Sequence, residues 1–116
     1  KHMMTETPNL DYIKEIAGGN EEFEQKFLSI IQQEFPKEKE EYISYVAAKK
    51  LEDAAKIVHK MKHKLGILSL NRSYKLAVKY EEDLKYGNTA LEEDFKQVLD
   101  IVEEFIRDCV KREVSS

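Results

Sequence analysis

From Phe23 onward, apolar residues recur at intervals of three and four, the spacing that gathers them on one face of an α-helix. Phe23, Phe27, Ile30, Ile31 and Phe35 form the first long stripe. Tyr42, Ile43, Val46 and Ala47 resume it beyond Pro36, whose missing N–H predicts a bend or a break. Asn20 is placed to cap this helix, with Glu21 and Glu22 favourable in its first turn. Ahead of it, Asn9 can cap a short helix over Leu10–Ala17 that presents Leu10, Ile13 and Ile16 or Ala17 and stops at Gly18-Gly19. A further stripe starts near Lys50 and runs through Leu51, Ala54, Val58, Met61, Leu65 and Leu68. The next spans roughly Asn71–Tyr86, with Tyr74, Ala77, Tyr80 or Glu81, and Leu84, and ends at Gly87, a natural left-handed cap. Thr89-Ala90-Leu91-Glu92 reads as a capping box opening a last helix that carries Leu91, Phe95, Val98, Val102, Phe105 and Cys109. Long amphipathic helices with short connections predict an all-α antiparallel four-helix bundle with a short additional N-terminal helix.

Composition narrows this picture without changing it. With 116 residues there is room for one domain, and four Gly and two Pro are too few for a turn-rich β-sandwich. Lys1 to Met3 read as an expression scar, which leaves residues 4–116 as the domain, with Met4 as the natural start. No run approaches the roughly 18 apolar residues of a membrane span, and Lys1 to Leu10 lack the apolar region of a secretory signal. The single cysteine, Cys109, lies on an apolar stripe and excludes an internal disulfide. A cytoplasmic, monomeric protein is the expectation.

The charge is unevenly distributed. Between Lys49 and Lys75, seven lysines and Arg72 stand against Glu52 and Asp53, a net +6 in a chain whose total is −4. Such an island raises the local concentration of anionic partners. Inside it lie His59 and His63, four residues apart on one helix. With Val58 at the centre of the buried stripe, His59 falls at the edge of the core. Ala55 and Gly66 are small neighbours, and Lys62, one turn along, can raise its ammonium towards the imidazole. A neutral imidazole can accept a phosphoryl group on a ring nitrogen, and a nearby cation offsets the charge on the phosphoryl oxygens. The competing chemistries are weaker. Two histidines at this spacing can chelate a metal, but two ligands do not complete a site. Lys60 stands where a zinc protease needs Glu, and the surrounding lysines repel a cation. Neither a Gly-rich phosphate loop nor a kinase ATP site can be found in the sequence.

These residues resemble the histidine-containing phosphotransfer (HPt) domain of bacterial two-component phosphorelays, over nearly the whole chain. The family pattern is small-His-x-hydrophobic-Lys-Gly, and here it reads Val58-His59-Lys60-Met61-Lys62-His63. Leu10-Asp11-Tyr12-Ile13 through Gly18-Gly19-Asn20-Glu21-Glu22-Phe23 resembles the family's short leading helix, glycine stop and second-helix start. Leu68-Ser69-Leu70 stands where the family has a Leu-Gly turn, and Gly66 matches a small position two turns past the histidine. Two residues depart from the pattern: His63 replaces the glycine that follows the lysine, and Ser69 replaces the turn glycine.

The resemblance implies a phosphorelay intermediate in which His59 accepts a phosphoryl group from a receiver-domain aspartate and passes it to another response-regulator receiver. Lys62 supplies electrostatic support. The chain would then be a phosphotransfer protein and not an autonomous kinase. It needs no cofactor of its own, since the receiver brings Mg²⁺. Its expected partners are response-regulator receiver domains and a hybrid sensor histidine kinase, met through Lys56, Lys60, His63, Lys64 and Gly66 around the acceptor. An apolar contact surface is expected from the first helix and from an exposed edge near Ile57. The alternative is a basic-faced helical module that binds nucleic acid or protein without phosphotransfer. One Arg, no aromatic residue between Lys49 and Ser73 and an acidic remainder make nucleic acid the poorer partner.

Overall fold

The computed structural model describes residues 6–115, with side chains described as far as Cys109. The reading of Lys1 to Met3 as a scar and of Met4 as the start therefore lies outside the described residues. Five helices follow one another: α1 (Asp11–Ala17), α2 (Glu21–Ala47), α3 (Leu51–Ile67), α4 (Asn71–Lys85) and α5 (Glu92–Ser115). No strand occurs among the described residues. The fold is a helical bundle with a short N-terminal helix, 44 × 26 × 23 Å along its principal axes. None of these helices is long and apolar enough to cross a membrane.

The short connections between the long helices are built by one backbone device. At the ends of α2, α3 and α4 a residue with positive φ reverses the chain: Lys49 at 61°, Ser69 at 65° and Gly87 at 78°. In each case the following N–H reaches back to a carbonyl of the last turn: Lys50 to Tyr45 at 2.8 Å, Leu70 to Leu65 at 2.9 Å and Asn88 to Asp83 at 2.9 Å. These are Schellman closures, which satisfy carbonyls that the helix end leaves open. Ser69 thus takes the left-handed conformation itself, and the turn keeps the shape a glycine would give it.

Asn20 caps α2 as the sequence predicts, whereas α1 begins at Asp11 with Leu10 at its cap position, and Asn9 acts from one residue further back. Asn20 Oδ1 accepts from Phe23 N at 3.1 Å, and Asn9 Oδ1 accepts from Asp11 N at 3.0 Å. Before α5 the outcome differs from the expected capping box. Asn88 Oδ1 accepts from Ala90 N at 2.9 Å, and the helix begins only at Glu92. The asparagine lies inside the tight turn and reaches the free N–H first. The start of α4 has no cap of its own, because Leu70 occupies the cap position. Glu6, from the segment before α1, fills that role through both carboxylate oxygens, at 2.7 Å from Arg72 N and 2.8 Å from Ser73 N.

Pro36 lies within α2, which continues through it. Its position is exposed, so water can take the carbonyl that the missing N–H leaves free. The core is contiguous and includes Ile13, Ile31, Phe35, Tyr42, Val58, Met61, Leu65, Tyr80, Leu84, Phe95, Leu99 and Val102. Tyr42, Tyr80 and Phe95 form an aromatic cluster, and the two tyrosine hydroxyls share a hydrogen bond, which satisfies both polar tips in the interior. Burial, together with that bond, holds the Tyr42 phenol far above its ordinary value. Phe23, Ile30 and Ile43, read as part of the α2 stripe, are exposed, while Leu28 is buried.

Candidate functional site

Helix α3 lies between α2 and α4 and buries Ala54, Val58, Met61 and Leu65 against them. That orientation places His59 at the edge of the interface with α4, its side chain 53% exposed. Across the interface, α4 contributes Glu81, which takes a position on the buried stripe between Ala77 and Leu84. One oxygen of this carboxylate, Oε2, lies 3.0 Å from His59 Nδ1, and the other, Oε1, accepts from Lys62 Nζ at 2.8 Å. The lysine and the histidine are therefore brought together, but through a shared carboxylate and not by direct approach of the ammonium to the ring.

The electrostatics of this trio are internally consistent. Burial pushes the Glu81 carboxyl up, but hydrogen bonds from Lys62 and His59, reinforced by their charge, outweigh it and hold the group below its usual value. An ionised carboxylate can only accept, so His59 Nδ1 carries the proton and donates. When the ring is neutral, the other ring nitrogen, Nε2, holds the lone pair, and it makes no hydrogen bond among the described residues. The ring borders an open depression of about 500 Å³ lined by Glu52, Ala55, Lys56, His59, Lys60, Glu81 and Lys85. Lys85 Nζ, from the last turn of α4, lies 3.8 Å from Glu81 Oε2.

The remaining residues expected around the acceptor separate into distinct environments. Lys56 and Lys60 line the depression beside His59. His63 stands one turn along, its ring edge-on to that of His59 with centroids 5.1 Å apart and planes at 85°. Lys64 departs from the expectation. It is buried, and its ammonium lies 2.9 Å from Glu34 Oε1 and 3.0 Å from Glu38 Oε2 on α2. Five residues past His59, it points to the opposite neighbour of α3 and cannot meet a partner on the His59 side. Burial pulls its ammonium down, and the hydrogen bonds it donates to the two glutamates reverse this and leave it raised. Gly66 faces α4 as well: a methyl group there would lie 3.4 Å from the Tyr74 ring, so the glycine lets the two helices approach closely. Ile57, expected at an exposed apolar edge, is buried. The exposed apolar side chains of α1 are Tyr12 and Ile16.

Glu81 is the residue that sequence reading missed as a functional group. Its signal was present as an acid on a stripe position, three residues before Leu84 and four after Ala77. Among the described residues, no group of three or more His, Cys, Asp or Glu side chains is placed to hold a metal ion. Compared with models of known families, with curated proteins and with solved structures, the chain shows no significant match.

Proposed function

We propose that this protein is a phosphorelay intermediate of the histidine phosphotransfer type, with His59 as acceptor and Lys62 as electrostatic support. The observation that carries the reading is the carboxylate of Glu81, which holds His59 Nδ1 on one oxygen and Lys62 on the other while more than half of the imidazole stays open. In the reaction, the Nε2 lone pair attacks the phosphorus of a receiver's aspartyl phosphate. The Nε2–P bond forms, the P–O bond to the aspartate breaks, and the aspartate leaves as a carboxylate. The imidazole retains its Nδ1 proton and becomes cationic, and Glu81, kept ionised by Lys62, faces that new charge. Transfer to a second receiver reverses these steps, so the domain consumes no nucleotide, and the receiver contributes the Mg²⁺ the chemistry needs.

Lys56, Lys60 and His63 belong on this face as partner contacts, since they border the acceptor and are exposed. The nucleic-acid alternative is weakened by the same geometry. Lys62 and Lys64 are engaged by internal carboxylates, which removes two cations from the island that would bind phosphates.

Incubation with phosphorylated receiver domains, followed by intact mass and an acid-lability test, checks the reading. Gain of one acid-labile phosphate in the wild type and in His63→Ala, with none in His59→Ala, is the expected result. Labelling that depends on His63 alone would move the acceptor, and a wild type that takes up nothing while folded would reject the relay.

A further inference from the structure

Phosphorylation places a dianionic group on an exposed ring, and the cation that meets it must be near, charged and not committed elsewhere. Lys62 satisfies only part of this. Its side chain is 13% exposed, and its ammonium is bound to Glu81 at 2.8 Å, a full charge-assisted bond. Lys85 has the complementary properties. It lines the depression in front of His59, its side chain is half exposed, and its nearest acids, Glu81 and Glu82, are each at 3.8 Å, too far for a well-formed hydrogen bond. Its ammonium and His59 Nδ1 approach the same oxygen, Glu81 Oε2, at 3.8 and 3.0 Å, and Lys85 and His59 line the same depression, so the flexible four-carbon stem stands beside the ring that would carry the phosphoryl group.

We propose that Lys85 is a second catalytic cation of this site, contacting the phosphoryl group on His59 directly, while Lys62 acts largely by holding Glu81. The proposal rests on the phosphotransfer reading and deepens it. The sequence gives a reason why α4 can supply this group: Lys85 follows Glu81 by four residues, so both project from one face of the last two turns. Two acids line the same depression, Glu52 and Glu81; Lys62 pairs with Glu81 from inside, and Lys56, Lys60 and Lys85 outnumber the two.

The test must separate contact with the phosphoryl group from contact with a docked protein, so it uses two donors. Phosphoramidate is a small donor whose P–N bond breaks as Nε2–P forms, with ammonia leaving. A phosphorylated receiver is the protein donor. Initial rates of acid-labile phosphate uptake are measured for wild type, Lys85→Gln, Lys85→Arg and, as an exposed α4 lysine outside the depression, Lys79→Gln, with folding checked by circular dichroism. The expected result is a loss of about tenfold in Lys85→Gln with both donors, recovery in Lys85→Arg and no change in Lys79→Gln. Equal rates for wild type and Lys85→Gln would overturn the assignment. A loss confined to the receiver would also overturn it and make Lys85 a docking residue. A wild type that takes phosphate from neither donor would instead defeat the phosphotransfer reading, and Lys85 with it.

Discussion

Helix α3 carries two lysines, Lys62 and Lys64, that both end on glutamates of a neighbouring helix, yet the two nodes differ in kind. Towards α2, Lys64 bridges Glu34 and Glu38, and apart from the exposed rim at Glu34 the node is enclosed, with Glu38 Oε1 buried and unpartnered among the described residues. Towards α4, Lys62 and Glu81 are just as enclosed, but the third member is an imidazole that stays 53% exposed. A closed ion pair can only hold helices together. The same pair with a nucleophilic ring on its open side can pass the effect of a buried charge to a group that meets solvent.

The largest effect that tests this contrast is loss of the ring. His59→Ala should abolish acid-labile phosphorylation while changing stability by less than about 1 kcal/mol, because Lys62 still neutralises Glu81. Denaturant midpoints beside intact mass would check both halves. Next, Lys64→Ala should cost about 3 kcal/mol, since it strands the buried Glu38 carboxylate, and should leave transfer near the wild-type rate. A Lys64→Met, Glu38→Leu pair should recover most of that loss, and its failure to do so would give the closed node a role beyond neutralising charge.

Lys62→Ala should show the converse pattern, with transfer roughly tenfold to hundredfold slower and a stability loss nearer about 1 kcal/mol, because His59 and Lys85 still face the Glu81 carboxylate. If it destabilised as much as Lys64→Ala and left transfer untouched, the two nodes would be equivalent after all. The pH dependence follows from the directions of the shifts. Glu81 and Glu34 are lowered, so their contribution is present above the ordinary value of 4.5 and is lost as pH falls through the folded values. Lys64 is raised, so its contribution is present below 10.5 and is lost as pH rises through its folded value. Urea melts of Lys64→Met against wild type should therefore converge at both extremes of pH, whereas Glu81→Gln should alter only the acid limb. The smallest effect concerns the turns: Ser69→Gly and Lys49→Gly should each stabilise by about 1 kcal/mol, because both residues hold a left-handed φ that glycine adopts freely.

How much of this was legible in the sequence differs from element to element. Asn20 and Gly87 marked their helix ends because the capping chemistry is local to a few residues. Thr89 misled, since Asn88 one residue earlier competes for the same turn. Lys64 could not be distinguished from Lys60 by type or by neighbourhood. Only the packing of α2 on α3 put Glu34 and Glu38 beside one and left the other facing out. The cap on α4 was equally hidden, because Glu6 reaches it from more than sixty positions away in the chain.

The chain by itself determined what short-range periodicity can carry: five helices, the stripe centred on Val58, and His59 at the margin of that stripe with Lys62 one turn on. Each of these depends on residues within about two turns of one another, where backbone geometry sets the distances. Tertiary structure alone decided what the margin faces. Setting α4 against α3 placed Glu81 between His59 and Lys62 and brought Lys85 to the rim, while setting α2 on the other side withdrew Lys64 from the surface. Those outcomes depend on which residues of distant segments come into contact, and a stripe tells which face is buried without telling what lies across it.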